Sequence, residues 1–254
     1  MLRPNEIAET AVDVSVNKAE LKWWKMVLLG MFAGAFIALA GVGATFANVY
    51  VGKIAGALVF PAGLAMVVVA GSELFTGNNL MFAGALSGKI RWRKMLKNWG
   101  LVFLGNLLGA LIITVMVTVS GVFDSVANTV IATANAKVGM GFLEAMIRGV
   151  LCNFLVCIAV WMAFAANSVG GKIAAVFLPV MLFVLCGFEH SVANMFYVPA
   201  GMMMSSFAGV AGPSITGFLV GNLLPVTLGN VIGGAIMVAG GYYLVYLKKN
   251  NDKK

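Results

Sequence analysis

Long apolar runs separated by short polar stretches dominate the chain. A membrane-spanning helix needs about 20 mostly apolar residues, and six runs reach that length. The pattern therefore predicts an all-α membrane protein with six transmembrane helices, built as a single domain over residues 1–254. The six runs lie at roughly 26–51, 54–74, 100–121, 143–167, 173–204 and 225–247.

A shorter and more polar segment, residues 1–22, precedes these runs. Within it the sequence predicts an interfacial helix over residues 5–18, with Asn5 as its N-cap. This helix is indicated by a partial apolar stripe formed by Leu2, Ile7, Ala11 and Val14.

Polar residues interrupt the second and fifth runs, at a depth where polar groups are costly. The two interruptions lie 116 residues apart and share the pattern Gly-x-Glu-x-x-x-x-Asn, at Gly71, Glu73 and Asn78 and again at Gly187, Glu189 and Asn194. A second pair of similar stretches, at Gly105-Asn106 and Gly229-Asn230, lies 124 residues apart.

These similarities divide the chain into two repeats, 24–121 and 143–247. Each repeat holds three spans, an odd number, so the two repeats must cross the membrane in opposite directions. We therefore predict two inverted three-helix repeats with interrupted helices 2 and 5. Paired interrupted helices in an inverted repeat point to a transport site near the middle of the membrane.

Composition supports a membrane location, because 61% of residues are hydrophobic and 10% are charged. The net charge of +8 would suit a nucleic-acid partner, but the positions of the cations explain it better. With a cytoplasmic N-terminus, fourteen of the seventeen Lys and Arg residues lie on the cytoplasmic side. The positive-inside rule then predicts two cytoplasmic termini, a cytoplasmic tail at 248–254 and no nucleic-acid partner. The exceptions are Lys53 and Lys137 outside and Arg148 within the fourth span.

Motifs for enzymatic chemistry are missing from the sequence. It has no His-Glu-x-x-His, no Gly-x-Ser-x-Gly and no Gly-x-x-x-x-Gly-Lys-Ser/Thr loop. Its single histidine, His190, excludes a histidine-rich metal site, and its three cysteines lie in apolar runs. We predict no enzyme activity, no catalytic residue, no metal and no cofactor.

Three polar side chains are candidates for contact with a transported solute. His190 can donate a hydrogen bond, carry a charge or pass a proton, and Thr76 can donate from its hydroxyl group. The alternatives are a buried histidine satisfied by its neighbours and a threonine bonded to local backbone. Asn153, polar within the fourth run, can form hydrogen bonds across helices.

Glu73 and Glu189 also lie in the interruptions, and two acids there would favour cations. Each carboxylate can instead accept backbone N–H groups at the start of the resumed half-helix, whose positive dipole end favours anions. We expect this structural role for both acids, and a structural role for Asn194. We expect Lys137 to draw anions toward the entrance; the alternative is an ordinary solvated lysine.

Bulky apolar residues surround the two interruptions. Each of them taken singly is ordinary packing, but as a set they can form hydrophobic constrictions that strip water from a solute. The set comprises Phe60, Leu64, Leu74, Phe75 and Phe183.

Three stretches carry a specific resemblance to a known family: Gly187-Phe-Glu-His-Ser-Val-Ala-Asn-Met-Phe196, Leu74-Phe-Thr76 and Asn222-Leu-Leu-Pro-Val-Thr-Leu-Gly-Asn-Val-Ile-Gly-Gly234. On these residues the chain resembles the formate/nitrite transporter family over nearly its whole length. The resemblance implies an aquaporin-like fold and a homopentamer in a bacterial inner membrane. It also implies one pore per protomer, for small monovalent anions such as formate, nitrite or hydrosulfide.

The resemblance assigns roles by motif position. It matches His190 and Thr76 to the family's central polar pair, with Asn153 close to the histidine, and it matches Lys137 to the vestibule lysine. The stretch Gly77-Asn-Asn79 departs from the formate channels and is similar to the hydrosulfide-channel branch. The family's hydrophobic slits correspond to Phe60, Leu64, Leu74, Phe75 and Phe183.

The leading hypothesis is therefore a channel for small monovalent anions. A neutral-solute channel for water or glycerol is the first alternative, although the two Asn-Pro-Ala boxes typical of that class do not occur. A structural membrane protein with a plugged centre is the second alternative. Solute flux separates the three hypotheses.

Overall fold

The computed structural model describes residues 2–248, and the regular elements in that range are all helical. Six of its helical segments are long and apolar enough to cross a membrane, which confirms the predicted number of spans. The predicted tail at 248–254 lies outside the described residues, apart from Lys248.

An N-terminal helix α1 (Pro4–Ala19) precedes the first repeat. The first repeat then contains α2 (Trp23–Tyr50), α3 (Lys53–Val59), α4 (Pro61–Ala70), α5 (Phe75–Asn78), α6 (Met81–Leu86) and α7 (Trp92–Val119). A single 3₁₀ turn (Asp124–Val126) leads into the second repeat, which contains α8 (Ala127–Val138), α9 (Phe142–Phe164), α10 (Val169–Cys186), α11 (Ser191–Ala208) and α12 (Leu224–Val231). Wider π-type turns flank α12 at Gly217–Leu223, Ile232–Gly240 and Tyr243–Leu247, so the last span runs over 217–247.

Two glycines end the helices that lead into the interruptions. Gly71 follows α4 with φ +77°, and Gly187 follows α10 with φ +71°. Both angles lie in the left-handed region, where a residue without Cβ avoids the steric penalty. The chain resumes as α5 in the first repeat and as α11 in the second. The predicted fifth run thus separates into α10 and α11, as the interrupted-helix prediction requires.

Glycines also bring the long helices of each repeat into backbone contact. A Cβ added at Gly109 of α7 would lie 1.9 Å from the carbonyl oxygen of Met31 in α2. In the second repeat, a Cβ at Gly233 would lie 2.1 Å from the carbonyl oxygen of Val150 in α9. Small residues permit this close approach of membrane helices, and close glycine contacts of this kind occur within each repeat.

The N-terminal helix differs from its predicted form at its N-cap. Its N-cap is Arg3 and not Asn5, because the Arg3 backbone N–H donates to Glu6 at 2.6 Å and Pro4 occupies the first helical position. The hydrogen bonds from Arg3 hold the pKa of the exposed Glu6 carboxyl below its usual value. The apolar face of α1 packs against α6 and α9, and the position of this helix at the membrane interface stays a prediction.

Helix α8 is absent from the sequence prediction, which left the stretch between the third and fourth spans without structure. The helix packs against α11, and it carries Lys137 near its C-terminal end. The first repeat also departs from expectation after its interruption. There the resumed half-helix is divided into α5 and α6, whereas α11 continues for 18 residues.

Candidate functional site

Two cavities lead toward the interruptions. The first, here the Lys18 vestibule, has a volume of about 360 Å³ and is bounded by α1, Leu64, Leu74 and Glu73. The second, here the Lys137 vestibule, has a volume of about 220 Å³ and is bounded by α8, Phe60, Phe183 and His190. Phe60 and Leu64 lie one helical turn apart, so the protein between the two vestibules is thin.

Aromatic rings close the inner end of the Lys137 vestibule. The rings of Phe60 and Phe183 meet edge to face with their centroids 5.8 Å apart. Phe183 also stacks on His190 at 5.9 Å. The structure therefore brings two of the predicted constriction residues onto the predicted central histidine.

The remaining constriction candidates lie on the other side or away from the cavities. Leu64 and Leu74 are buried and line the Lys18 vestibule. Phe75 lines neither vestibule, because its ring packs edge to face against Phe103 at 5.0 Å and Trp99 at 6.1 Å. A constricting role for Phe75 stays a prediction.

His190 and Thr76 meet between the two vestibules. The His190 Nε2 atom lies 2.8 Å from the Thr76 hydroxyl oxygen, and both side chains are buried. The His190 Nδ1 atom accepts the backbone N–H of Ala193 at 3.0 Å, so the ring is also the N-cap of α11. An imidazole nitrogen that accepts carries no proton, so a neutral ring has its hydrogen on Nε2 and donates to Thr76.

A buried ion pair flanks this centre in the first repeat. The Lys18 ammonium lies 2.6 Å from Glu73 Oε1, and the Asn78 amide donates to Glu73 Oε2 at 2.6 Å. Asn78 also donates to Asn98 at 2.8 Å, and Asn98 donates to the Lys18 carbonyl at 3.3 Å. The four residues form a closed ring that is completed by the Lys18 backbone carbonyl, and the Lys18 ammonium cancels the charge of Glu73.

The second repeat contains the same ring of four residues. The Lys137 ammonium contacts both oxygens of Glu189, at 2.9 and 3.0 Å, and Asn194 donates to Glu189 Oε2 at 2.6 Å. Asn194 donates to Asn222 at 2.7 Å, and Asn222 donates to the Lys137 carbonyl at 2.9 Å. The two rings have the same residue types and the same sequence of hydrogen bonds, which supports the predicted pair of inverted repeats.

The carboxylates do not take the partners that the sequence suggested. Glu73 and Glu189 were expected to accept backbone N–H groups of the resumed helices, but they accept from lysine and asparagine side chains. The backbone groups are bound by two other residues. Asn106 accepts the Phe75 N–H at 2.9 Å, and Asn230 accepts the Ser191 N–H at 2.9 Å.

Asn106 and Asn230 also donate to one carbonyl group of each interruption and to one carbonyl group of a neighbouring long helix, α2 or α9. Asn106 donates to Glu73 at 2.9 Å and to Gly30 at 2.8 Å. Asn230 donates to Glu189 at 2.9 Å and to Gly149 at 2.8 Å. Since an unpaired buried backbone group is costly, these two asparagines stabilise the non-helical backbone of the interruptions.

The sequence analysis missed these asparagines as functional residues, although a signal for them existed. The 124-residue offset that relates Asn106 to Asn230 also relates Asn98 to Asn222. The signal was read only as evidence for repeats. Lys18 was missed because the sequence around it does not resemble the sequence around Lys137. Only the folded structure shows that the two lysines are counterparts.

Asn153 binds the first interruption from the fourth span. Its amide donates to the Thr76 carbonyl at 3.2 Å, to Asn79 at 2.9 Å and to the Asn230 carbonyl at 2.7 Å. The predicted bonding across helices is therefore present, on the Thr76 side of the central pair. Within residues 2–248, no group of three His, Cys, Asp or Glu side chains is placed to hold a metal ion.

Comparison with known proteins gives a consistent result. The sequence profile of the formate/nitrite transporter family matches residues 5–244. The chain is 39% identical to the transporter YrhG of Bacillus subtilis (strain 168), over 99% of this chain and 96% of the relative. It is 36% identical to the formate channel FocA of Escherichia coli (strain K12), again over 99% of this chain and 96% of the relative.

Solved structures give the same result for the fold. A pentameric formate channel with formate bound superposes with a TM-score of 0.77 at 36% identity, covering 89% of this chain and 98% of that chain. An FNT family ion channel superposes with a TM-score of 0.81 at 27% identity, covering 94% and 98%. These matches agree with the predicted fold and favour a channel for anions over one for neutral solutes.

Proposed function

The chain belongs to the formate/nitrite transporter family, and from that premise we propose that each protomer conducts small monovalent anions past the His190–Thr76 pair. The anions are of the formate, nitrite and hydrosulfide class. The protein works as a homopentamer in the bacterial inner membrane, with both termini in the cytoplasm. Membership of this family makes the protein a channel or transporter.

The single observation that carries the proposal is the position of the His190–Thr76 hydrogen bond. It lies between two vestibules, and its Nε2–H is a donor whose partner is one exchangeable hydroxyl. An anion that displaces Thr76 from this donor receives a hydrogen bond in place of water. A cation receives no comparable partner, because a donor repels positive charge.

The apolar residues on either side of this donor select by hydration. Phe60 and Phe183 on one side, and Leu64 and Leu74 on the other, offer no hydrogen bond to a solute. An ion must lose most of its water to pass them. Small monovalent anions hold water weakly compared with multivalent ones, so they pass at the lowest cost.

The acids at the interruptions do not oppose anion passage. Glu73 and Glu189 are each paired with a buried lysine and an asparagine. Each ring of four side chains is neutral as a whole. The paired charges therefore support the polar interruptions without presenting a net negative charge to an anion.

The capping role of His190 favours a hydrogen-bond donor over a proton donor. A neutral imidazole is too weak an acid to give its Nε2 proton to an anion, so proton transfer would require the imidazolium form, with a proton on Nδ1 as well. That nitrogen is engaged with the Ala193 N–H, so a proton there would break the cap of α11. We propose that the anion crosses the centre by accepting the Nε2–H bond.

The test is solute flux in proteoliposomes that contain the purified protein. Hydrosulfide, formate, nitrite, chloride and glycerol are compared under identical gradients, and empty liposomes provide the background. Entry of hydrosulfide and formate without glycerol supports the anion channel, and the relative rates identify the preferred anion. Glycerol entry without anion flux would refute the proposal and leave His190 with its capping role alone.

A further inference from the structure

Each vestibule contains one lysine whose charge is not used by the rings described above. The charged residues that line the Lys137 vestibule are Lys53, Lys137 and Glu189. Those that line the Lys18 vestibule are Lys18, Glu73 and Lys172. Because the Lys137–Glu189 and Lys18–Glu73 pairs each cancel, the net charge of each vestibule comes from its third residue.

Lys53 and Lys172 have no carboxylate partner within residues 2–248. All five ion pairs found in that range join other residues. Lys53 is exposed and Lys172 is half-buried. Each ammonium group is therefore available to a mobile anion in its vestibule, whereas Lys137, the lysine expected from sequence to attract anions, is already paired with Glu189.

Lys53 lies on the helix face that leads to the aromatic constriction. It begins α3, and Ala57 and Phe60 follow it at four and seven residues, all three lining the Lys137 vestibule. This spacing places the three side chains on one face of the helix. At about 1.5 Å per residue, Lys53 stands about 10 Å from Phe60 along the helix axis.

Lys172 occupies the corresponding place on the opposite side. It lies in the first turn of α10, and Val176, Val180 and Phe183 follow at helical spacing on the buried face of that helix. Helix α10 packs against α3 and α4, which carry the facing stripe of residues. Helices α3 and α10 thus each carry a lysine in the first turn, on the helix face that leads to the constrictions.

We propose that Lys53 and Lys172 are the residues that concentrate anions at the two mouths of the pore and so set the rate of entry. The proposal rests on the anion-channel function proposed above. A unit charge about 10 Å from the narrow part, as for Lys53, changes the local anion concentration by about two- to fifteenfold, for effective dielectric constants between those of water and a protein surface. Lys172 lies eleven residues from Phe183, about 16 Å along the helix axis, where the change is about 1.5- to sixfold. Such an effect is large at low salt, because the Debye length is about 30 Å at 0.01 M and about 3 Å at 1 M.

The experiment measures formate flux in proteoliposomes at about 0.01 M and about 1 M ionic strength, the two conditions between which the screening length falls tenfold. The variants are Lys53→Gln, Lys172→Gln, the double variant and Lys53→Arg. Lys89→Gln is the matched control, because Lys89 is an exposed lysine that lines neither vestibule. Pentamer assembly is checked for every variant by size-exclusion chromatography.

At low salt we expect Lys53→Gln to lose about two- to fifteenfold in flux and Lys172→Gln about 1.5- to sixfold, and the double variant to lose more than either. At about 1 M salt the variants should match the wild type, because the charge is screened. Lys53→Arg and Lys89→Gln should match it at both salts. Glutamine variants equal to the wild type at low salt would overturn the inference, and so would losses that persist at high salt or appear in Lys53→Arg. The anion that the wild type carries fastest among formate, nitrite and hydrosulfide replaces formate if formate is not carried. If the wild type carries none of the three, the proposed function fails, whereas unchanged flux in the variants of a conducting wild type refutes only the role of Lys53 and Lys172.

Discussion

Replacing Glu189 by Gln tests whether the acids at the interruptions are structural. Glu189 is 5% exposed and Lys137 is 15% exposed, so the pair is buried and its removal leaves an unpaired ammonium in protein. Breaking a buried pair in this way costs about 3–5 kcal/mol. A glutamine amide also places a donor against Asn194 or Lys137, where the carboxylate accepts from both.

The matched control is Glu144→Gln, which breaks the Glu144–Arg148 pair on the same bundle. That pair is separated by 2.7 Å, but its side chains are 49% and 43% exposed, so its loss should cost about 0–1 kcal/mol. The double variant Lys137→Gln/Glu189→Gln removes both buried charges. It should be more stable than Glu189→Gln alone, because no unpaired ammonium remains.

The assay is thermal unfolding of the detergent-solubilised protein, followed by flux in liposomes for the fraction that stays folded. A loss of 3–5 kcal/mol corresponds to a fall in Tm of about 6–20 °C for a chain of this size. The reasoning fails if Glu189→Gln melts within about 4 °C of the wild type, the upper limit of the shift expected for an exposed pair. It also fails if the folded variant conducts cations, because the acid would then set selectivity.

Three further predictions follow from the site. His190→Phe should lower anion flux by at least about tenfold, because it removes a donor to a charged solute worth about 1.5–3 kcal/mol, while the pentamer elutes unchanged. His190→Asn should fall in between; equal flux in all three proteins would remove His190 from the mechanism. Asn230→Ala should lower Tm, because it strands two buried backbone groups, the Ser191 N–H and the Glu189 carbonyl, at about 1–3 kcal/mol each, and a Tm equal to that of the wild type would contradict this. In right-side-out vesicles the basic stretch at 89–97, which ends the loop before α7 and begins that helix, should resist external protease, and cleavage there would contradict the predicted orientation.

The sequence was sufficient for the coarse architecture because its signals are local or periodic. Span count follows from the length of the apolar runs, and the interruptions follow from glycine beside polar residues within them. Gly71 and Gly187 both end helices in the left-handed conformation, as a shared motif would require. The pairing of His190 with Thr76 was expected from the resemblance to the family, which matches these residues to its central polar pair.

The partners of the acids were not predictable in the same way. Glu73 has Lys18 as its counter-ion from a helix 55 residues earlier, and no local pattern connects the two. Helix α8 was missed because only Val130, Ile131 and Ala134 of its face are buried, too few to mark an apolar run. The N-cap at Arg3 was missed because capping scales favour Asn5, whereas the Glu6 side chain and Pro4 decide where this helix begins.

Because the two rings match, the proposed pathway presents nearly the same groups in the same order from either end. A solute entering from either end meets a free lysine, a neutral lysine–glutamate ring, an apolar gap and then the same imidazole donor. Under the proposed function, neither end of the pore carries a distinct set of groups that would mark it as the entrance. Net flow through such a passive channel would be set by the electrochemical gradient of the anion, so one protein would serve for uptake when the solute is abundant outside and for discharge when it accumulates within.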